Sequence, residues 1–186
     1  EAQGTRAVAT GYATKAMGEN SFTAGENTQA EGRNSVATGY KTKATGTNAA
    51  AFGEGSEAAG VVYFTAGLNN KASGQSSTAL GNLSQATGAA SFAGGLRTEA
   101  SGVASTAMGD STKATGVIFT AMGWKTEASG QQSTAIGTLS KASAHSSFAA
   151  GNQTEASGDA STAMGMETKA TGVISTAMGW KTEASG

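Results

Sequence analysis

The chain of 186 residues has no cysteine and no proline, one histidine and only two aspartates. Without cysteine it has no disulfide framework, no thiolate metal site and no thiol nucleophile. One His and two Asp leave little material for acid–base or metal chemistry, and no nucleophile, base and orienting group share a face, so no catalytic, cofactor or metal site is expected. No apolar run of about 18 residues is present, so no direct membrane insertion of this segment is expected. Lys plus Arg number 12 against 13 Asp plus Glu, and this balance leaves no footprint for nucleic acid. Large aliphatic residues, the usual filling of a core, are scarce. Small ones are plentiful: 28 Gly and 38 Ala.

The glycines are periodic. From Gly4 to Gly186 in steps of seven there are 27 positions, and 26 of them are Gly; Ala144 is the exception. Two residues before each position stands Ala, except at Thr23 and Thr65. Disorder has no reason to hold such a phase. A coiled coil is excluded because its seam needs large apolar residues, and glycine in every heptad would cost a helix about 1 kcal/mol each time. Collagen needs Gly at every third residue.

Alternate heptads differ, so the unit is fourteen residues. One kind, here called A, reads Ser35-Val36-Ala37-Thr38-Gly39 or Ser133-Thr134-Ala135-Ile136-Gly137. The other, B, reads Thr42-Lys43-Ala44-Thr45-Gly46 or Thr98-Glu99-Ala100-Ser101-Gly102. Each predicts a five-residue strand followed by a two-residue turn. Side chains alternate faces along a strand, so Ser or Thr, Ala and Gly share one face. That small face must be the inside of a narrow coil. The expected fold is all-β, a parallel β-roll or solenoid of about thirteen 14-residue coils with two short strands each. The second B position supports the stacking: Glu99, Lys113, Glu127, Lys141, Glu155, Lys169 and Glu183 alternate in sign at 14-residue steps.

The outward positions of A are apolar, and their sizes compensate. Phe22, Phe64, Phe92 and Phe148 each precede Ala or Gly two residues on, Ala50 precedes Phe52, and Thr precedes Leu80, Met108, Met122, Ile136, Met164 and Met178. Together with Val36 these residues make an external apolar stripe, which marks an interface. Thin rolls bury too little alone, so a homo-oligomer is expected.

The repeated Ser-x-Ala-x-Gly-x-x-Ser/Thr-x-Ala-x-Gly, as in Ser35 to Gly46, resembles the YadA-like head repeats of trimeric autotransporter adhesins. The resemblance covers the whole chain. It implies a left-handed roll, a homotrimer cored by the A stripe, and display on the bacterial surface, anchored to the outer membrane through parts absent from this chain. It also implies cell adhesion, with the virulence and biofilm roles that go with it. This chain departs from the pattern in using Thr with Met, or Phe with Ala, where Val and Ile are usual. Residues 1–186 are expected to form a single repeat domain, a fragment of a longer chain.

Residues 131–186 match residues 75–130 at 41 of 56 positions, a four-coil supermodule. It repeats Val61-Val62, Val117-Ile118 and Val173-Ile174 in the turn after a B strand, and Leu68, Trp124 and Trp180 in the turn after an A strand; Tyr12 and Tyr40 occupy equivalent A turns. These turns are candidates for contact with a neighbouring subunit or with a receptor. The leading function is adhesion to host extracellular matrix, to cell-surface proteins, or to the same head on another cell. The alternative is a structural fibre or spacer without a receptor site of its own.

Overall fold

The structure, a computed structural model, describes residues 1–186 as twenty-six strands with no helix, from β1 (Val8–Tyr12) and β2 (Lys15–Ala16) to β25 (Thr176–Trp180) and β26 (Glu183–Ala184). It is an all-β parallel solenoid with about thirteen coils of fourteen residues, as the sequence predicts. The contacts divide it into two units, residues 1–95 and 96–186. Within each unit the odd-numbered strands form one parallel sheet and the even-numbered strands another. Register steps by fourteen: Val8 pairs with Phe22 in the first unit, and Thr106 with Thr120 in the second.

The small face is the inside. Ala37, Ala51, Ala107 and Ala135 are wholly buried, as are the Ser and Thr two residues before an inward Ala, such as Ser35 and Thr112. Some inward hydroxyls find partners; Ser105 Oγ donates to the backbone Gly102 O at 2.7 Å, and Thr154 Oγ1 donates to the side-chain Ser140 Oγ at 2.9 Å. Others, such as Thr42 and Thr112, have no partner.

The B strands differ from expectation. They are two residues long, Lys-Ala or Glu-Ala in most coils, where five were expected. The reason is a bend. Ser157 N–H and Gly158 N–H both donate to Ala170 O, at 2.9 and 3.2 Å, so two consecutive donors share one acceptor and the ladder cannot continue. The A strands are five residues long but start one position later than expected. They run from the outward residue through Gly to the first turn residue.

Glycine serves two purposes. In every A strand its φ is positive, from +101° to +135°, and in most of them a Cβ would also meet the carbonyl of the next coil's Gly; at Gly165 that contact would be 2.0 Å from Gly179 O. In the B arm φ is ordinary, and only the close approach requires Gly; a Cβ on Gly158 would lie 2.0 Å from Gly172 O. Ala144 shows that a B position can shift enough to hold a methyl group.

Two coils carry a large ring inside. Tyr63 and Phe119 stand where the A pattern has Ser, and they are 7% and 2% exposed. Phe119 lies against Gly116, where an added Cβ would sit 1.9 Å from Cζ, and Tyr63 lies in the same way against Gly60. The Tyr63 hydroxyl donates to Ser73 O at 3.3 Å. Gly60 and Gly116 are half-exposed where most B glycines are buried, because the ring has taken the space beneath them. Nearby, Asn70 replaces the usual inward Ser or Thr; its amide donates to Ala66 O and Gly81 O at 2.8 and 2.7 Å and accepts from Ser84 N–H at 2.9 Å.

Two predictions follow from this interior. Gly165→Ala should destabilise by about 1–3 kcal/mol more than Gly158→Ala, because only the former also imposes a forbidden φ; thermal unfolding followed by circular dichroism reads the difference. Thr112→Val should raise stability by about 1 kcal/mol by removing an unpaired buried hydroxyl, whereas Thr154→Val should lower it by leaving Ser140 without that partner.

Candidate interaction surfaces

Each coil presents an outward A face, an outward B face and two turns. On the A face the apolar residues stack in register. In the second unit Met108 pairs with Met122, Met122 with Ile136, Ile136 with Ala150, Ala150 with Met164, and Met164 with Met178. In the first unit Phe22 pairs with Val36, and Leu80 with Ala66. Phe52, on β7 (Ala50–Glu54), packs against Phe64, on β9 (Phe64–Leu68), with ring centroids 5.7 Å apart and tilted by 45°. Size compensation has a direct cause at Phe92, whose ring folds back along its own strand; a Cβ on Gly94 would lie 2.8 Å from Phe92 Cε1. Phe22, Phe64, Met108, Ile136, Met164 and Met178 are exposed, and Val36, Phe52, Leu80, Phe92, Met122 and Phe148 are half-buried.

The B face carries the charge ladder. Register places Glu99 beside Lys113, Lys113 beside Glu127, and Glu127 beside Lys141. Lys141 Nζ approaches Glu127 Oε2 to 3.7 Å, and Lys113 Nζ approaches Glu99 Oε2 to 4.0 Å. All four side chains are well exposed, so each pair contributes little and is screened by salt. The ladder makes this face polar and solvated.

The turns share one backbone feature that the sequence reading did not anticipate. From Arg6 to Lys181, the second turn residue is left-handed in every turn, with φ between +51° and +63°. Its N–H donates to the first turn residue of the preceding coil, as Asn34 does to Glu19 O and Lys125 to Asp110 O, both at 2.8 Å. Asn tolerates this conformation and accounts for Asn20, Asn34 and Asn48. Their side chains also form a ladder; Asn20 Nδ2 donates to Asn34 Oδ1 at 3.1 Å, and Asn34 Nδ2 to Asn48 Oδ1 at 3.0 Å. The recurrence of Asn at this position was the signal available in the sequence.

Val62, Ile118 and Ile174 occupy this same left-handed position, at φ +63°, +63° and +57°. A β-branched residue there is a conformational outlier. Each is exposed, and so are its neighbours Val61, Val117 and Val173.

The opposite turn, after the A strand, holds the aromatic residues. Trp124 is 42% and Trp180 67% exposed; Tyr12 is exposed at 74%, Tyr40 is exposed, and Leu68 is half-buried. A lysine follows three of them and lies over the ring. Lys125 Nζ is 4.4 Å from the Trp124 ring centroid, Lys181 is 5.0 Å from that of Trp180, and Lys41 is 4.8 Å from that of Tyr40. Lys41 titrates above the usual lysine value, chiefly through hydrogen bonding to Tyr40, so it is charged at physiological pH. Register places Tyr40 between Glu26 and Glu54. The candidate turn residues therefore fall into two sets on opposite edges of the A sheet, aliphatic on one and mostly aromatic on the other.

His145 is in a B turn. Its N–H donates to Asp159 Oδ1 at 3.2 Å, and its ring Nδ1 lies 3.1 Å from Ser146 Oγ.

A family model for the YadA head domain repeat, in two copies, matches residues 2–22, 24–42, 72–98, 100–117, 120–140, 128–154 and 142–168. No curated protein matches the chain.

Proposed function

Because the chain belongs to the family of YadA head domain repeats, we propose that it is a head segment of a trimeric autotransporter adhesin, exposed on the bacterial surface and working by attachment. The observation that carries this reading is the family match, and the exposed A stripe agrees with it. A column of Met and Ile in the second unit, and the packed Phe52 and Phe64 in the first, are large apolar surfaces for a chain with so small an interior. Packed around a threefold axis, three such stripes bury one another and leave the charged B faces outward. Homotrimerisation then supplies the burial that the Ala and Ser interior does not.

Display in threes also sets the mode of binding. Identical patches occur three times around, so weak contacts add by avidity, with gains of about 10²–10⁴ over one site. For the receptor-facing patch we favour the A turns of Tyr12 and Tyr40. Their rings stand beside Glu26 and Glu54, and the combination suits a partner with both flat apolar and cationic groups. Host matrix, a host surface protein and the same head on another cell are the candidate targets.

Two outcomes are expected. Light scattering should give the mass of three chains, and a stable folded monomer would overturn the assembly. Tyr12→Ser with Tyr40→Ser should cut attachment of protein-coated beads to cultured cells or matrix at least tenfold without changing that mass. Unchanged attachment would favour the spacer role.

A further inference from the structure

Three coils carry large apolar residues on both edges of one A strand. In the coil of β17 (Thr120–Trp124), Val117-Ile118 precede the strand and Trp124 ends it. Val173-Ile174 and Trp180 bracket β25 in the same way, and Val61-Val62 and Leu68 bracket β9. Elsewhere a large apolar turn residue faces a polar turn across its strand, or, for Leu96, the small Ala89-Ala90. Val103 has Asp110 at the far edge, Leu139 has Gln131-Gln132, and Met166 has Asp159. Tyr12 and Tyr40 likewise have Thr5-Arg6 and Arg33-Asn34 at theirs.

One chain cannot bring the two edges together. From Ile118 to Trp124 is six residues of extended backbone, about 20 Å. The aliphatic residues are also placed against local preference, since Asn fills the same left-handed position at Asn20, Asn34 and Asn48 without strain. An observed strain of this kind is a pointer to function.

Cyclic closure supplies what a single chain lacks. Around a threefold axis every interface is heterologous, so one edge of each A sheet meets the opposite edge of the next; at the levels of Tyr12 and Tyr40 that opposite edge is the polar Thr5-Arg6 and Arg33-Asn34, which offers no apolar cover and leaves those rings to the receptor proposed above. We infer that Val117 and Ile118 of one protomer dock on Trp124 of the next at the same coil level, and that Val173-Ile174 with Trp180 and Val61-Val62 with Leu68 form equivalent contacts. The occupant of each aliphatic turn is thus a second copy of this chain. This inference rests on the trimer proposed above.

The contact solves a problem of register. Coils repeat every fourteen residues, so protomers could slide by one coil and bury a nearly identical stripe; in the second unit Thr pairs with Met or Ile two residues on in five of six coils. A slide of one coil would set Ile118 against Asp110 or Thr138 of the neighbour instead of Trp124. The bracketed coils therefore select one axial alignment, at intervals of four coils.

The absence of cysteine makes the test direct. The full chain carrying Ile118→Cys and Trp124→Cys should form a covalent trimer on oxidation, seen on a non-reducing gel, whereas either single variant should remain monomeric on that gel. The pair Ile118→Cys and Thr138→Cys, one coil out of level, should cross-link at least fivefold less. As a check without cysteine variants, the two tryptophans of the unmodified trimer should be quenched by acrylamide at least twofold more slowly than in a variant with Val117→Gln, Ile118→Asn, Val173→Gln and Ile174→Asn. A trimer by mass that neither cross-links at 118 and 124 nor protects its tryptophans overturns the inference while leaving the trimer intact. A monomer by mass overturns both.

Discussion

The fold depends on how closely one coil lies on the next. At the A glycines a Cβ would come within about 2 Å of the following coil's carbonyl oxygen, for example 1.9 Å at Gly109 and 2.0 Å at Gly165. Backbone thus rests on backbone where other proteins interpose side chains, and the parallel ladder of each sheet holds that spacing. The constraint propagates. It demands Gly at almost every seventh residue, it holds the chain to a register of fourteen, and it leaves an interior filled mostly by Ala, Ser and Thr.

An interior so small has an energetic consequence. Burying a methyl or hydroxymethyl group contributes far less than burying a Leu or Phe side chain, so the apolar effect available inside each coil is modest. Most large apolar residues are outside, on the A stripe and at the turns. Tyr63 and Phe119 are the exceptions, and the B glycines beside their rings, Gly60 and Gly116, are half-exposed where most others are buried. The stripe that the proposed assembly would cover is thus also the surface that a lone chain could least afford to expose.

Much of this was legible in the sequence, and for physical reasons. A backbone clash recurring at a fixed interval writes Gly at that interval, so Gly39 and Gly46 announced the heptad, while the alternation of Val36 with Lys43, each three residues before its Gly, announced the two kinds of arm. Stacking writes charge pairs, so Glu127 above Lys113 and below Lys141 disclosed the coil length. The brevity of the B strands was not legible, because whether two N–H groups share one acceptor depends on backbone direction and not on residue type. The left-handed second turn residue was only partly visible, since positions such as Lys41 and Leu83 adopt it with no compositional mark. Tyr63 and Phe119 were visible as departures from Ser, but nothing in their spacing said that a ring would fit inside.

What the sequence by itself determined was the period, the division into an inner small face and outer apolar and charged faces, and the in-register stacking. All of these follow from local alternation and from the space that a Cβ requires. What only the tertiary structure decided was how short the B strands are, where the A strands begin, and which residues bear positive φ. It put Ile118 in the left-handed region and ended each B strand after two residues, because backbone direction and a shared hydrogen-bond acceptor are properties of the folded coil that residue type does not carry.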